Sequence, residues 1–198
     1  EIIHMGFVTS LIESELKFLF PKLNIARFDA DNTTEDALHS KYSELYNGDI
    51  DILIGTQIVA KGLDLPYLTM VGVIQADTGL SIPDFNSSER TFQLLAQVIG
   101  RVGRNEKQTK VVVQSYKPSH PSIIHGLKQD YDSFYSETLL EREKSLFPPF
   151  THLLKLTCVY KSEVVAIKNT KKLADELKKI LNSDVKILGP SPAFYEYQ

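Results

Sequence analysis

The residues best placed to do chemistry lie in the run Gln97-Val98-Ile99-Gly100-Arg101-Val102-Gly103-Arg104, where two arginines stand three positions apart, each preceded by or following a glycine step. A guanidinium is permanently charged and offers five N–H donors in a planar fork that matches phosphate oxygens. At the end of a helix, two such forks at i and i+3 can point one way and reach a triphosphate held by a neighbouring lobe, the layout of an arginine finger. A second cluster, Gly55-Thr56-Gln57-Ile58-Val59-Ala60-Lys61-Gly62-Leu63-Asp64-Leu65-Pro66, directly follows the apolar stretch Asp51-Ile52-Leu53-Ile54. If that stretch is a strand, a hydroxyl, backbone N–H groups and a carboxylate follow its carboxyl end, where open α/β sheets bind ligands.

The elements that must hold these residues follow from the patterning. Short apolar strands are predicted at 2–5, 24–28, 50–54, 69–74 and 111–115, the fourth apolar enough to be covered on both faces. Helices are predicted at about 11–20, with Leu11, Ile12, Leu16, Leu19 and Phe20 on one stripe and Pro21 as the stop, and after the capping loop Asp29 to Thr34 as far as Asn47-Gly48. A third, across 89–99, presents Phe92, Leu95, Ala96 and Ile99 to the sheet and Arg90, Gln93 and Gln97 to the other side. Strands alternating with helices over 1–116 imply a parallel α/β layer. After Lys117-Pro118-Ser119-His120-Pro121, helices are predicted at 122–128 and about 130–144; Tyr131, Phe134, Tyr135, Thr138 and Leu139 are spaced either to dock on a core or to stack nucleobases. Phe147-Pro148-Pro149-Phe150 marks a boundary. Beyond it a strand at 151–160, a helix at 162–182 with Leu173, Leu177, Ile180 and Leu181 inward, and a strand at 185–188 predict a small α+β unit.

What is missing narrows the chemistry. No Gly-x4-Gly-Lys-Ser/Thr phosphate loop occurs, and no acidic box stands at a strand end to hold magnesium; Asp175-Glu176-Leu177-Lys178 imitates one inside a lysine-rich helix. Asp29 and Asp31 lack the partners a metal site needs and read as loop and cap residues. No metal site is expected in this chain. Gly100-Arg101-Val102-Gly103 lies at a helix end and lacks the third glycine of a dinucleotide-binding turn. Net charge is −3, with 14 basic against 20 acidic residues in 1–150 and 8 against 5 in 151–198, so phosphate contacts in the first part must come from local geometry. The lysines of the last quarter are either a general basic surface or the solvated face of one helix. A single cysteine, Cys158, reads as a buried small hydrophobe. The absence of a long apolar run or a secretory leader predicts a soluble, cytoplasmic chain, and the opening Glu1-Ile2-Ile3-His4 reads as the start of an excised fragment.

The two clusters together resemble motifs V and VI of superfamily 2 helicases. The stretch Gln75-Ala76-Asp77-Thr78-Gly79-Leu80-Ser81-Ile82-Pro83-Asp84-Phe85-Asn86-Ser87-Ser88-Glu89-Arg90-Thr91-Phe92-Gln93-Leu94-Leu95, which leads into the arginine run, resembles the PriA family of replication-restart DNA helicases (primosomal protein N′), as do Glu141 to Phe150 and Leu188-Gly189-Pro190-Ser191-Pro192-Ala193. The resemblance implies a second RecA-like lobe at 1–116, a helical linker at 117–147 and a truncated small α+β domain at 148–198. It implies that Thr56 and Gly55 contact DNA, that Asp64, with Gly62, binds the ATP sugar, and that Arg101 and Arg104 bind its phosphates, Arg104 being the catalytic finger. Gln97, Asp77, Glu89 and Arg90 would couple the two sites. ATP and magnesium would be shared with a missing amino-terminal lobe, and zinc would belong to the full-length protein but not to this chain. Implied partners are forked or single-stranded DNA, single-stranded DNA-binding protein and helicase-loading primosome proteins, with no membrane. Val98 stands where many superfamily 2 members carry a first arginine, a trait PriA sequences share; Val8 and Ser10 replace a glycine and an acid of the family turn, Asn86 replaces a frequent base, and Gln57 departs from the RNA helicases. The rival readings are a related DNA translocase or branch-migration helicase, and a non-catalytic module binding DNA or a partner.

Overall fold

The computed structural model describes residues 9–28, 43–55, 68–100 and 110–192. These fall into two compact units, 1–140 and 141–198.

The first unit is mixed α/β with small parallel sheets. Helix α1 (Thr9–Leu19) opens at Thr9 and Ser10, which the sequence assigned to the preceding turn, and ends before Pro21. Its expected apolar stripe is only partly turned inward: Ile12 and Leu16 are half-buried, whereas Leu11, Leu19 and Phe20 are exposed. A polar tie holds the inward side instead, for Glu13 meets Lys17 one turn on (2.7 Å) and Arg27 on the next strand (3.5 Å). Strand β1 (Ile25–Phe28) pairs in parallel with β2 (Ile52–Gly55), Ile25 opposite Ile52 and Phe28 opposite Gly55. Ile25, Phe28 and Ile54 supply the buried apolar side chains of this pair. The helical turns at 43–47 end at Gly48, whose φ of 81° is the left-handed stop that favours glycine.

Strand β3 (Met70–Val73) pairs in parallel with β4 (Lys110–Val113), Met70 opposite Lys110 and Val73 opposite Val113. Both strands alternate exposed and half-buried residues, so β3 is not covered on both faces as its apolar sequence predicted; Met70 and Val112 are exposed. The covered face meets α2 (Ser87–Ile99) and α3 (Pro121–Lys128), where Ala76, Leu95 and Ile123 form a buried cluster with Val73, Ile99 and Val113 against it. Leu95 is 0% exposed and Ile123 2%, which places the centre of this core at the α2–α3 contact. Helix α4 (Tyr131–Lys144) adds Phe134, 4% exposed and stacked on Phe92 with centroids 4.3 Å apart and planes 2° apart. Of the aromatic face predicted for α4, Phe134 is buried. Tyr131 and Tyr135 are exposed and stack on each other at 5.9 Å.

The boundary between the units, at 140/141, falls inside α4. In the second unit Arg142 Nη1 donates to Pro148 O (2.6 Å) and Thr151 Oγ1 to Leu146 O (2.7 Å), pinning the Phe147-Pro148-Pro149-Phe150 turn to the end of α4. Helix α5 (Glu163–Ile180) follows. The strands predicted at 151–160 and 185–188 are not formed among the described residues: neither segment enters a ladder, and Leu154 and Val159 are 84% and 86% exposed. A strand is stable only with partners on its hydrogen-bonding edges and cover on one face, and apolar alternation alone supplies neither. For the same reason Leu173, Ile180 and Leu181 are exposed rather than inward, Leu177 is half-buried, and only Ala174 of α5 is buried. Cys158 is half-buried, not enclosed.

Candidate functional site

Of the residues singled out by their chemistry, Thr56, Gly62, Asp64, Arg101 and Arg104 lie outside the described residues, as do the capping loop Asp29 to Thr34 and the strand at 2–5. The elements that lead to them are described. Gly55, exposed, is the last residue of β2, so the 55–66 cluster leaves from the carboxyl end of a parallel strand. The arginine run follows in sequence the C-terminal end of α2, whose last residue Ile99 packs on the core.

Between β3 and α2 the segment 75–90 forms a polar strut. Gln75 adopts φ 52°, and its carbonyl accepts from the Thr78 backbone N–H (3.1 Å) and the Thr78 hydroxyl (2.8 Å). A single 3₁₀ turn, Thr78–Ser81, follows. Asp77 is buried, and its Oδ1 accepts from the backbone N–H of Tyr116 (3.2 Å) just past β4, while Ala76 N–H donates to Gln114 O (2.9 Å). The carboxyl ends of β3 and β4 are thereby tied beyond their ladder. An unpaired buried carboxylate would cost several kcal/mol of desolvation, so this acceptor role fixes where Asp77 sits. At the other end of the strut, Asp84 closes the start of α2: its Oδ1 accepts from Asn86 N–H (3.0 Å), and its Oδ2 lies 3.1 Å from Arg90 Nη2. Ser87 Oγ donates to Ile82 O (2.8 Å) and Thr91 Oγ1 to Ser87 O (3.0 Å); a Cβ on Gly79 would sit 3.1 Å from Thr91 Oγ1.

Of the four proposed coupling residues, Asp77, Glu89 and Arg90 lie along this one segment, engaged by different neighbours, and Gln97 sits two turns further along α2, half-buried. Arg90 is ion-paired within its own segment, and Glu89 stands in the first turn of α2, where an acid complements the helix dipole. Sequence reasoning missed the residues that hold α2 from the far side. Gly126 lets α3 approach so closely that a Cβ there would lie 3.0 Å from Leu95 Cβ and 3.6 Å from Phe92 O. A glycine inside an otherwise good helical pattern was the available signal. His120 Nδ1 accepts from Ser122 N–H (3.3 Å) at the N-terminus of α3, and His125 Nε2 lies 3.1 Å from Glu137 Oε1, its Nδ1 3.7 Å from Asp130 Oδ2. Asp130 caps α4, its Oδ1 accepting from Ser133 N–H (3.1 Å). Hydrogen bonds from the Ser133 side chain and backbone, aided by His125 and Lys128, hold its carboxyl below the usual carboxylate range. Among the described residues no group of histidine, cysteine, aspartate and glutamate could hold a metal ion, and no helix is long and apolar enough to cross a membrane.

Residues 3–106 match the family "Helicase conserved C-terminal domain", which covers both clusters, and the chain belongs to that family. Among individual proteins it is similar to the Replication restart protein PriA of Bacillus subtilis (strain 168), 43% identical over 187 residues, 94% of this chain and 23% of that protein. The proteins of the same name from Synechocystis and Borreliella burgdorferi are 38% and 35% identical over 95% and 98% of the chain, and 23% and 29% of their own length. The chain therefore spans about a quarter of the length of these relatives.

Proposed function

We propose that this chain is the rear motor lobe and carboxy-terminal region of an ATP-dependent 3′-to-5′ DNA helicase that acts at stalled forks in replication restart. The observation that carries the reading is that α2, held at its start by the Asp84 turn and preceded by the Asp77–Tyr116 tie at the carboxyl ends of β3 and β4, leads in sequence into Arg101 and Arg104. Similarity to proteins named for replication restart along nearly the whole chain supports the fork as the site of action.

In this reading residues 1–116 are a second RecA-like lobe, 117–147 a helical linker and 148–198 a small carboxy-terminal domain. ATP binds between this lobe and another that supplies the phosphate loop and the magnesium-binding acids, groups this sequence does not contain. Two guanidiniums and one carboxylate suit the distal phosphates and the sugar of a nucleotide, and they do not make a metal site. Asp64, beside Gly62, orients the sugar; Arg104, aided by Arg101, stabilises charge on the transferring phosphoryl group. Thr56 and Gly55 hold one DNA strand by its phosphates, which makes grip independent of base sequence. The strut 75–90 and Gln97 transmit lobe closure between the contacts. The chain alone turns over no ATP. The full-length protein carries zinc elsewhere, works in the cytoplasm, and meets single-stranded DNA-binding protein and helicase-loading proteins on forked DNA.

The test is ATP hydrolysis by the full-length protein with and without forked DNA. Fork-stimulated turnover that falls by roughly 10³ to 10⁵ in Arg104→Ala supports the finger. Unchanged turnover in that variant overturns it, and DNA binding with no fork-stimulated turnover in the wild-type protein favours the non-catalytic module.

A further inference from the structure

The β3–β4 ladder ends on a break in its register. Gln114 N–H donates to Val73 O (2.9 Å), as the parallel pairing requires, but Gln114 O accepts from Ala76 N–H (2.9 Å) where the ladder would have Gln75 N–H. One extra residue therefore lies in the exit of β3, a bulge, and Gln75 takes it up with φ 52°. Gln75 O, which an unbroken ladder would offer to Tyr116 N–H, is occupied by the Thr78 N–H (3.1 Å) and hydroxyl (2.8 Å). The buried carboxylate of Asp77 accepts from Tyr116 N–H in its place (3.2 Å). A non-glycine residue at positive φ is costly and persists where its surroundings fix it, and such outliers gather at ligand sites.

Beyond the break, the loop from Gln114 to His120 is pinned along its backbone. Lys117 N–H donates to Ser115 Oγ (2.9 Å), His120 N–H donates to Lys117 O (3.0 Å), and His120 Nδ1 accepts from Ser122 N–H (3.3 Å) where α3 begins. Pro118 fixes its own φ between them. The side chains on this frame are not used by the fold. Tyr116 is 61% exposed, Lys117 is exposed, and among the described residues neither side chain has a hydrogen-bond or ion-pair partner. They stand at the carboxyl end of a parallel strand, the edge where open α/β sheets bind ligands. A ring and an ammonium carried on fixed backbone lose little freedom when a ligand arrives.

We infer that Tyr116 and Lys117 are a contact for single-stranded DNA, the Tyr116 ring stacking on a base and the Lys117 ammonium meeting a phosphate. The inference rests on the DNA-motor reading of this lobe and adds a base-stacking contact to the phosphate grip. Every base has a flat face, so stacking keeps that grip independent of sequence. Residues 1–150 carry 20 acids against 14 bases and offer a strand no bulk attraction, which leaves local contacts of this kind to hold it.

The test uses the full-length protein and fluorescence anisotropy with two probes, an oligothymidylate and an abasic deoxyribose-phosphate strand of equal length, each titrated at several salt concentrations. Wild type is compared with Tyr116→Phe, Tyr116→Ala and Lys117→Ala, and KM for ATP is read from fork-stimulated hydrolysis. The tie to Asp77 needs only a backbone N–H, so all three variants keep it. Tyr116→Ala is expected to weaken oligothymidylate binding about tenfold, the scale of one lost base stack, with abasic binding and Tyr116→Phe both within about twofold of wild type. Lys117→Ala is expected to lower the slope of log affinity on log salt by about 0.7, the share of one phosphate contact on a single strand, and Tyr116→Ala to leave that slope unchanged. Wild-type affinity in Tyr116→Ala, or an equal loss on both probes, overturns the stacking contact, and an unaltered slope in Lys117→Ala overturns the phosphate contact. A raised KM for ATP with DNA affinity unchanged gives the ring to the base of ATP, and a defect seen only when helicase-loading proteins are added gives it to a protein partner; either overturns the inference. Hydrolysis lost in Arg104→Ala with normal DNA binding in Tyr116→Ala overturns the inference and leaves the motor standing, whereas no DNA binding by the wild-type protein overturns both.

Discussion

Asp77 was legible as a residue of interest and illegible as to its task. Its position in an Ala-Asp-Thr-Gly segment resembles a family motif, but only the tertiary structure pairs it with the Tyr116 N–H, 39 residues on. Asp77→Ala removes the acceptor of that N–H and should destabilise the β3–β4 exit by about 0.5–1.5 kcal/mol, read as faster amide exchange over 110–118. Asp130 makes a second prediction. Its carboxyl is held below the ordinary range chiefly by the Ser133 hydrogen bonds, so the charged form is the one the fold favours. The stabilisation is therefore present at neutral pH and is lost as pH falls through that depressed pKa. Local protection at the start of α4, normalised to intrinsic exchange rates, should fall at acid pH in the wild-type protein, and Asp130→Asn, which still caps but does not titrate, should flatten that response.

At the scale of elements, helices announced themselves and strand pairing did not. The helix expected at 89–99 forms as Ser87–Ile99 with Phe92 and Leu95 inward, because a 3.6-residue apolar period needs only one neighbouring surface to satisfy it. The segments at 151–160 and 185–188 carry alternation of the same quality, yet a strand also needs an edge to bond, which sequence does not supply. The α2–α3 contact is the element-level feature most sensitive to change. Gly126→Val puts a branched side chain where Leu95 Cβ already stands 3.0 Å from the first added atom, and overpacking of this kind costs about 1–3 kcal/mol. Protection in α2 and α3 should fall together in that variant. Phe134→Ala removes the ring stacked on Phe92 and should cost about 3–5 kcal/mol, measured as a lower denaturation midpoint.

At the scale of the molecule, the proposed function, read with two arginines and no phosphate loop in this sequence, places nucleotide affinity and nucleotide turnover on different lobes. Arg101→Ala and Arg104→Ala in the full-length protein should therefore lower kcat while leaving the Kd for ATP within about threefold, the signature of contacts made only in the transition state. Equilibrium nucleotide binding beside steady-state rates checks this directly. The sequence by itself determined the residue chemistry, the family and the helices, because charge, hydrogen-bonding capacity and helical period are local properties of a chain. Tertiary structure alone decided that Asp77 ties two strand ends, that Gly126 admits Leu95, and that the apolar faces of 151–160 stay uncovered. Each of those facts depends on which distant surface arrives at a given point in space, and no local pattern encodes that arrival.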